Sequence, residues 1–124
     1  MIGYTTVGTN DLDRASRYYD ALFESLGAKR VFDSDTFVAW GRDMASPAFS
    51  VSMPFDGNPA TVGNGVMIAL ALKTPEQVAA LHAHALELGS RDEGAPGDRG
   101  GKFYAAYFRD LDGNKLNAFC WTGD

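Results

Sequence analysis

The chain carries one pattern twice, and that repetition limits its folds more than any other feature. A run rich in Thr and Val over residues 2–9 is followed by Asn10 and Asp11. Their side-chain oxygens can accept the unpaired amide protons of a first helical turn. Leu12, Ala15, Tyr19, Leu22 and Leu26 then recur at three- and four-residue spacing, one stripe of a helix that stops at Gly27. Short strands are expected over residues 29–32, 36–40 and 48–53. In the last, Phe49, Val51 and Met53 alternate with Ser50 and Ser52, the mark of a strand with two unlike faces. The order is β-α-β-β-β.

The second half repeats it. Residues 66–72 form an apolar, strand-like run, and Thr74, Pro75, Glu76 and Gln77 make a capping box with Pro at the first helical position. Val78, Leu81, Ala85 and Leu88 form the helix stripe, which Gly89 ends. Strands follow over residues 103–109 and 115–121, separated by an Asp112-Gly113 turn. Arg109-Asp110 repeats Arg42-Asp43 at an offset of 67, and the same offset sets Asn117 over Ser50. Met67 falls over Tyr4 at an offset of 63. Such repetition means two copies of one supersecondary unit. The expected organisation is one domain over residues 1–124, with module 1 at 1–56, a linker at 57–63 and module 2 at 64–124. One helix covers only one face of its unit's sheet. Counting by twos places Tyr4, Thr6, Ser50, Ser52, Met67, Ala69, Asn117 and Phe119 on the other face.

Charge and composition narrow the partners. The net charge is −5 and there is no basic cluster, which argues against nucleic acid. No apolar run approaches the roughly 18 residues of a membrane span, and residues 1–15 lack a signal-peptide pattern. The one cysteine, Cys120, cannot form an intramolecular disulfide, is expected to be a buried small hydrophobe, and fits a reducing, cytoplasmic setting.

Catalytic side chains are sparse. His82 and His84 lie two apart on a helix, about 200° from one another, so they cannot share a metal ion and read as partly exposed helix residues. Ser50 and Ser52 have no histidine on an expected open-face strand, so a Ser–His hydrolase is not indicated. The Gly and Pro content of residues 90–102 reads as a thirteen-residue loop, long for a helix–strand connection. Within it Arg99 offers a planar fork of donors for an anionic or polar ligand.

Three stretches, IGYTTVGTNDLDRASRYYDALFESLG, NGVMIALAL and FYAAYFRDLDGNKLNAF, together resemble the glyoxalase/bleomycin-resistance/dioxygenase (vicinal oxygen chelate) superfamily over nearly the whole chain. The resemblance implies an α+β fold of two βαβββ modules, forming a curved, mostly antiparallel eight-stranded sheet around a cleft with the helices outside. In metal-dependent relatives, ligands would stand at Tyr4 and Met67 (usually His), at Ser50 (carboxylate or His) and at Asn117 (usually Glu); none of the four is the family's ligand here. A phenol, a hydroxyl, a thioether and a carboxamide bring no charge to a divalent cation. The expectation is therefore no metal and no cofactor. The cleft would bind a small organic molecule through Tyr4, Ser50, Ser52, Met67, Arg99, Asn117 and Phe119, as metal-free bleomycin-sequestering relatives do. The alternative is a glyoxalase-like lyase, isomerase or dioxygenase, using Zn, Ni or Fe, or using Tyr4 as a metal-free acid/base. Homodimers are the rule among relatives of this length.

Overall fold

The computed structural model describes residues 1–123, so residue 124, the last of the second expected module, lies outside them. The chain forms two compact units, Met1–Gly63 and Asn64–Asp124. The first runs β1 (Tyr4–Gly8), α1 (Leu12–Glu24), β2 (Lys29–Asp33), β3 (Phe37–Gly41) and β4 (Ala48–Ser52). The second runs β5 (Ile68–Ala71), α2 (Pro75–Glu87), β6 (Arg91–Asp98), β7 (Phe103–Arg109) and β8 (Lys115–Trp121). Strand orders are β1-β4-β3-β2 and β5-β8-β7-β6, the same topology twice. In each sheet the first and last strands of the unit pair in parallel, and the other neighbours pair antiparallel. The α+β class and the doubled βαβββ order expected from the sequence are what is observed, with the eight strands hydrogen-bonded as two four-stranded mixed sheets.

Strand register reproduces the repeat. Thr6 pairs with Ser50 and Ala69 with Asn117, so the offsets of 63 and 67 describe the same two-strand pairing in each unit. The Arg-Asp match needs a correction of one residue. Ala39 pairs with Ser50, 11 positions on, whereas Tyr107 pairs with Asn117, 10 positions on. The aspartates remain equivalent because both hold the turn: Asp43 accepts from the Ala45 and Ser46 amides, and Asp110 from those of Asp112 and Asn114. The extra residue of the first unit lies just before its turn aspartate.

The helices begin where their caps place them. Asp11 accepts from the Arg14 amide, and Thr74 from the Gln77 amide. Gln77 reaches back to the Lys73 amide, one residue earlier than in a standard capping box. The core of the first unit is aromatic: Tyr19 is fully buried, and its ring lies 5.2 Å from Phe23, 5.5 Å from Trp40 and 4.7 Å from Phe49. Each such side chain withdrawn from water stabilises the fold by about 1.5–3 kcal/mol. Tyr18 and Phe23 join the expected α1 stripe, while Leu12 and Leu26 stay half-buried at its ends. In the second unit Val78, Leu81 and Ala85 pack beneath α2, and Phe108, Leu116, Ala118 and Cys120 are buried with them.

Two expectations are overturned. Residues 90–102 are no long loop: eight of them form β6, paired antiparallel with β7. Its Gly and Pro residues sit where the register shifts, between Asp92 and Gly94 and between Gly94 and Gly97. An edge strand tolerates Pro96 there because a bulge requires no ladder amide. His82 is not partly exposed but buried, and its Nε2 lies 3.0 Å from Asp92 Oδ1 on β6. Asp92 is brought to His82 by β6, whose Gly and Pro residues disguise it as a loop in the sequence. Residues 57–63, the expected linker, are tied to the first unit: the Asn10 carboxamide donates to the Ala60 carbonyl and accepts from its amide.

Candidate functional site

Each sheet turns one face to its own helix and leaves the other uncovered by it. In the first unit Phe49 and Trp40 pack on α1, so alternation puts Tyr4, Thr6, Phe37, Ala39, Ala48 and Ser50 on the open face. The shift between Arg30 and Phe32 sends Arg30 toward the helix side, where it binds Asp20, and Phe32 to the open side opposite Ala39. There Phe37 meets both Tyr4, at 6.1 Å, and Phe32, at 5.7 Å, edge to face. These three rings, with Val31, Ala39 and Met44, line a hollow of about 270 Å³. A larger hollow of about 390 Å³ lies beside α1, but its walls are charged and include the Arg30–Asp33 ion pair. The aromatic hollow is the better container for an organic molecule.

In the second unit His82 lies against Phe108, so Phe103, Ala105, Tyr107, Lys115, Asn117, Phe119 and Trp121 take the open face. Phe119 stacks on Phe103 at 5.2 Å, and Trp121 joins them at 5.2 and 6.1 Å. Tyr107 stands between two cations, with the Arg99 guanidinium 5.5 Å and the Lys115 ammonium 5.4 Å from its ring centre. Gly94 and Gly97 make room for this arrangement. A Cβ on Gly94 would meet the Tyr107 ring at 3.0 Å, and one on Gly97 would meet Arg99 Nη1 at 2.9 Å.

The residues singled out in the sequence differ in what they offer. Tyr4 and Met67 are exposed. Ser50 is fully buried; its hydroxyl donates to the Thr5 carbonyl at 2.6 Å and accepts from Thr6 at 2.9 Å. Ser52 turns its hydroxyl to the Met53 carbonyl. Asn117 is 1% exposed, and its amide nitrogen lies 3.1 Å from the Ala106 carbonyl and 3.3 Å from that of Ala118. Two carbonyl neighbours fix the carboxamide's orientation, since only its NH₂ can face them. Arg99 opens the β6–β7 turn and donates to the Ala95 carbonyl. Phe32, Phe37, Met44 and Lys115 were missed. Alternation over residues 37–41 could have found Phe37 opposite Trp40, whereas the bulge hides Phe32.

This donor set does not fit a Zn, Ni or Fe ion. The four family positions supply a phenol, a hydroxyl, a thioether and a carboxamide, with no formal charge to set against a divalent ion. Among the described residues no three His, Cys, Asp or Glu side chains gather to hold a metal.

The β6 carboxylates Asp92 and Glu93 at the site's margin are paired. Arg109 and then Arg91 hold the Glu93 carboxyl down to about 2. The Gly94 amide, and then His82, lower Asp92. Burial raises the Cys120 thiol, which keeps it protonated and unreactive.

The family model of the Glyoxalase/Bleomycin resistance protein/Dioxygenase superfamily matches residues 1–118. The chain belongs to this superfamily. A glyoxalase/bleomycin resistance protein from Albidiferax ferrireducens T118 is 38% identical, with a TM-score of 0.87 over 97% of this chain and 98% of that one. A lactoylglutathione lyase from Agrobacterium tumefaciens is 19% identical, with a TM-score of 0.71 over 97% and 92%. A glyoxalase/bleomycin resistance protein/dioxygenase family enzyme from Burkholderia phytofirmans PsJN is 16% identical, with a TM-score of 0.77 over 96% and 97%. The last two speak to the fold alone. No curated protein matches the chain. Among the described residues no helix is long and apolar enough to cross a membrane.

Proposed function

We propose that this superfamily member binds a small organic molecule on its aromatic open faces and does so without a metal. The observation that carries the reading is the chemistry of the four family ligand positions. Tyr4, Ser50, Met67 and Asn117 are all neutral, and Ser50 and Asn117 are bonded into their own sheets. What the open faces offer instead is rings: Tyr4, Phe32 and Phe37 around one hollow, and Phe103, Phe119 and Trp121 on the other sheet. Rings with a few convergent polar groups suit a planar or apolar ligand. The lone buried Cys120 agrees with a cytoplasmic protein, and a homodimer is the assembly carried over from relatives.

A thermal-shift screen with small aromatics, thiol adducts and antibiotics tests the reading. A true ligand stabilises by RT ln(1 + [L]/Kd), about 2.7 kcal/mol at a hundredfold excess over Kd. Phe119→Ala should abolish the shift of a ligand held on the second sheet, and Tyr4→Ala that of a ligand held on the first. If binding appears only after a divalent metal is added, the reading is wrong and the lyase or dioxygenase alternative takes its place.

A further inference from the structure

We infer that the open face of the second sheet takes an amphipathic organic anion, with its negative head at Arg99, Tyr107 and Lys115 and its apolar body on Phe103, Phe119 and Trp121. This rests on the proposed small-molecule binding and names the ligand class. Lys115, Asn117 and Phe119 occupy alternate positions of β8 and so share one face. Four residues of extended chain separate Lys115 from Phe119, about 13 Å. Across β7, Arg109 pairs with Lys115, Tyr107 with Asn117, Ala105 with Phe119 and Phe103 with Trp121, again cationic at one end and aromatic at the other. The face therefore grades from cationic, through a carboxamide, to aromatic.

Arg109 at the cationic end is paired with Glu93, but its neighbouring cations are not. Lys115 has no carboxylate partner among the described residues. Arg99 spends one nitrogen on the Ala95 carbonyl, and the Tyr107 hydroxyl is also without a protein partner there. The acids of β6 are engaged elsewhere: Glu93 is held by Arg91 and Arg109, Asp92 meets His82, and Asp98 accepts from the Gly100 amide. Two cations flanking one phenol, in a chain of net charge −5, form a local exception that an anion would neutralise. Gly94 and Gly97 leave room for Arg99 beside Tyr107. Asn117, with its NH₂ turned to backbone carbonyls, leaves its Oδ1 as an acceptor at the midpoint. A ligand polar group there would have to be a donor.

Calorimetric titration with phenylhexanoate and with phenylhexanol, backed by amide chemical-shift mapping, tests the inference. The carboxylate should bind about tenfold tighter than the alcohol, weaken with added salt, and shift the amides of residues 115–119. In Arg99→Ala/Lys115→Ala that preference should vanish, the carboxylate losing more affinity than the alcohol, and Phe119→Leu should weaken both ligands. Equal binding of alcohol and carboxylate overturns the anion assignment but keeps small-molecule binding. A preference that survives the double variant, or shifts confined to other residues, also overturns it. Binding of neither compound overturns the inference together with the reading beneath it.

Discussion

Asn117→Asp is the substitution that most clearly separates a carboxamide site from a carboxylate site. The change is nearly isosteric, but it removes an NH₂ that faces two backbone carbonyls at 3.1 and 3.3 Å and puts an acid there at 1% exposure. While protonated, the acid keeps one donor, and the loss is about 1 kcal/mol for the other bond. Ionised, it would sit buried against two carbonyl dipoles, so its pKa should rise by about 3 units or more. A raised acid is harmless below its unfolded value near ~4 and costs about 1.4 kcal/mol for each pH unit above it, until its folded pKa is reached. The expected destabilisation is therefore about 5 kcal/mol at pH 7 and about 2–3 kcal/mol at pH 5. Urea denaturation at the two pH values, with EDTA present, reads both. A loss below about 1 kcal/mol that does not change with pH would show that the Asn117 NH₂ is not held by the two carbonyls. It would mean that the pocket welcomes a carboxylate, as a metal centre does.

Other outcomes follow from the same contacts. Ser50→Ala should cost about 1–2 kcal/mol in chemical denaturation, because it removes the donor to the Thr5 carbonyl and the acceptor for Thr6. Glu93 has an ordinary value of 4.5 and is lowered to about 2, so its stabilisation is complete above 4.5 and is lost as pH falls toward 2. Glu93→Gln should flatten that part of the acid limb in a pH series of thermal melts; an unchanged slope would contradict the Arg109 pairing.

The fold was legible because its signals are local. Asp11 and Thr74 announce the helix starts, Gly27 and Gly89 their ends, and the alternation of Phe49 and Val51 with Ser50 and Ser52 gives both faces of β4. β6 was hidden for a physical reason: an edge strand with two bulges can carry Gly94, Pro96 and Gly97 and still pair with β7. With β6 unseen, the His82–Asp92 contact and the seating of Arg99 on Tyr107 were out of reach. Counting by twos put Asn117 and Phe119 on the open face, and the register agrees. Counting could not show that Ser50 and Asn117 turn their hydrogens inward, since that depends on which carbonyls lie within about 3 Å. The aromatic hollow needed the bulge between Arg30 and Phe32, which a strict period of two does not contain.

Metal content decides between a metal-free organic-ligand site and a metal centre. Tag-free protein purified without chelator, analysed by elemental mass spectrometry, should hold Zn, Ni and Fe at far less than one atom per chain. It should also gain no thermal stability when those ions are added. A content near one atom per chain that is lost in Asn117→Leu would rule out metal-free binding, since it would place a metal at Asn117 itself.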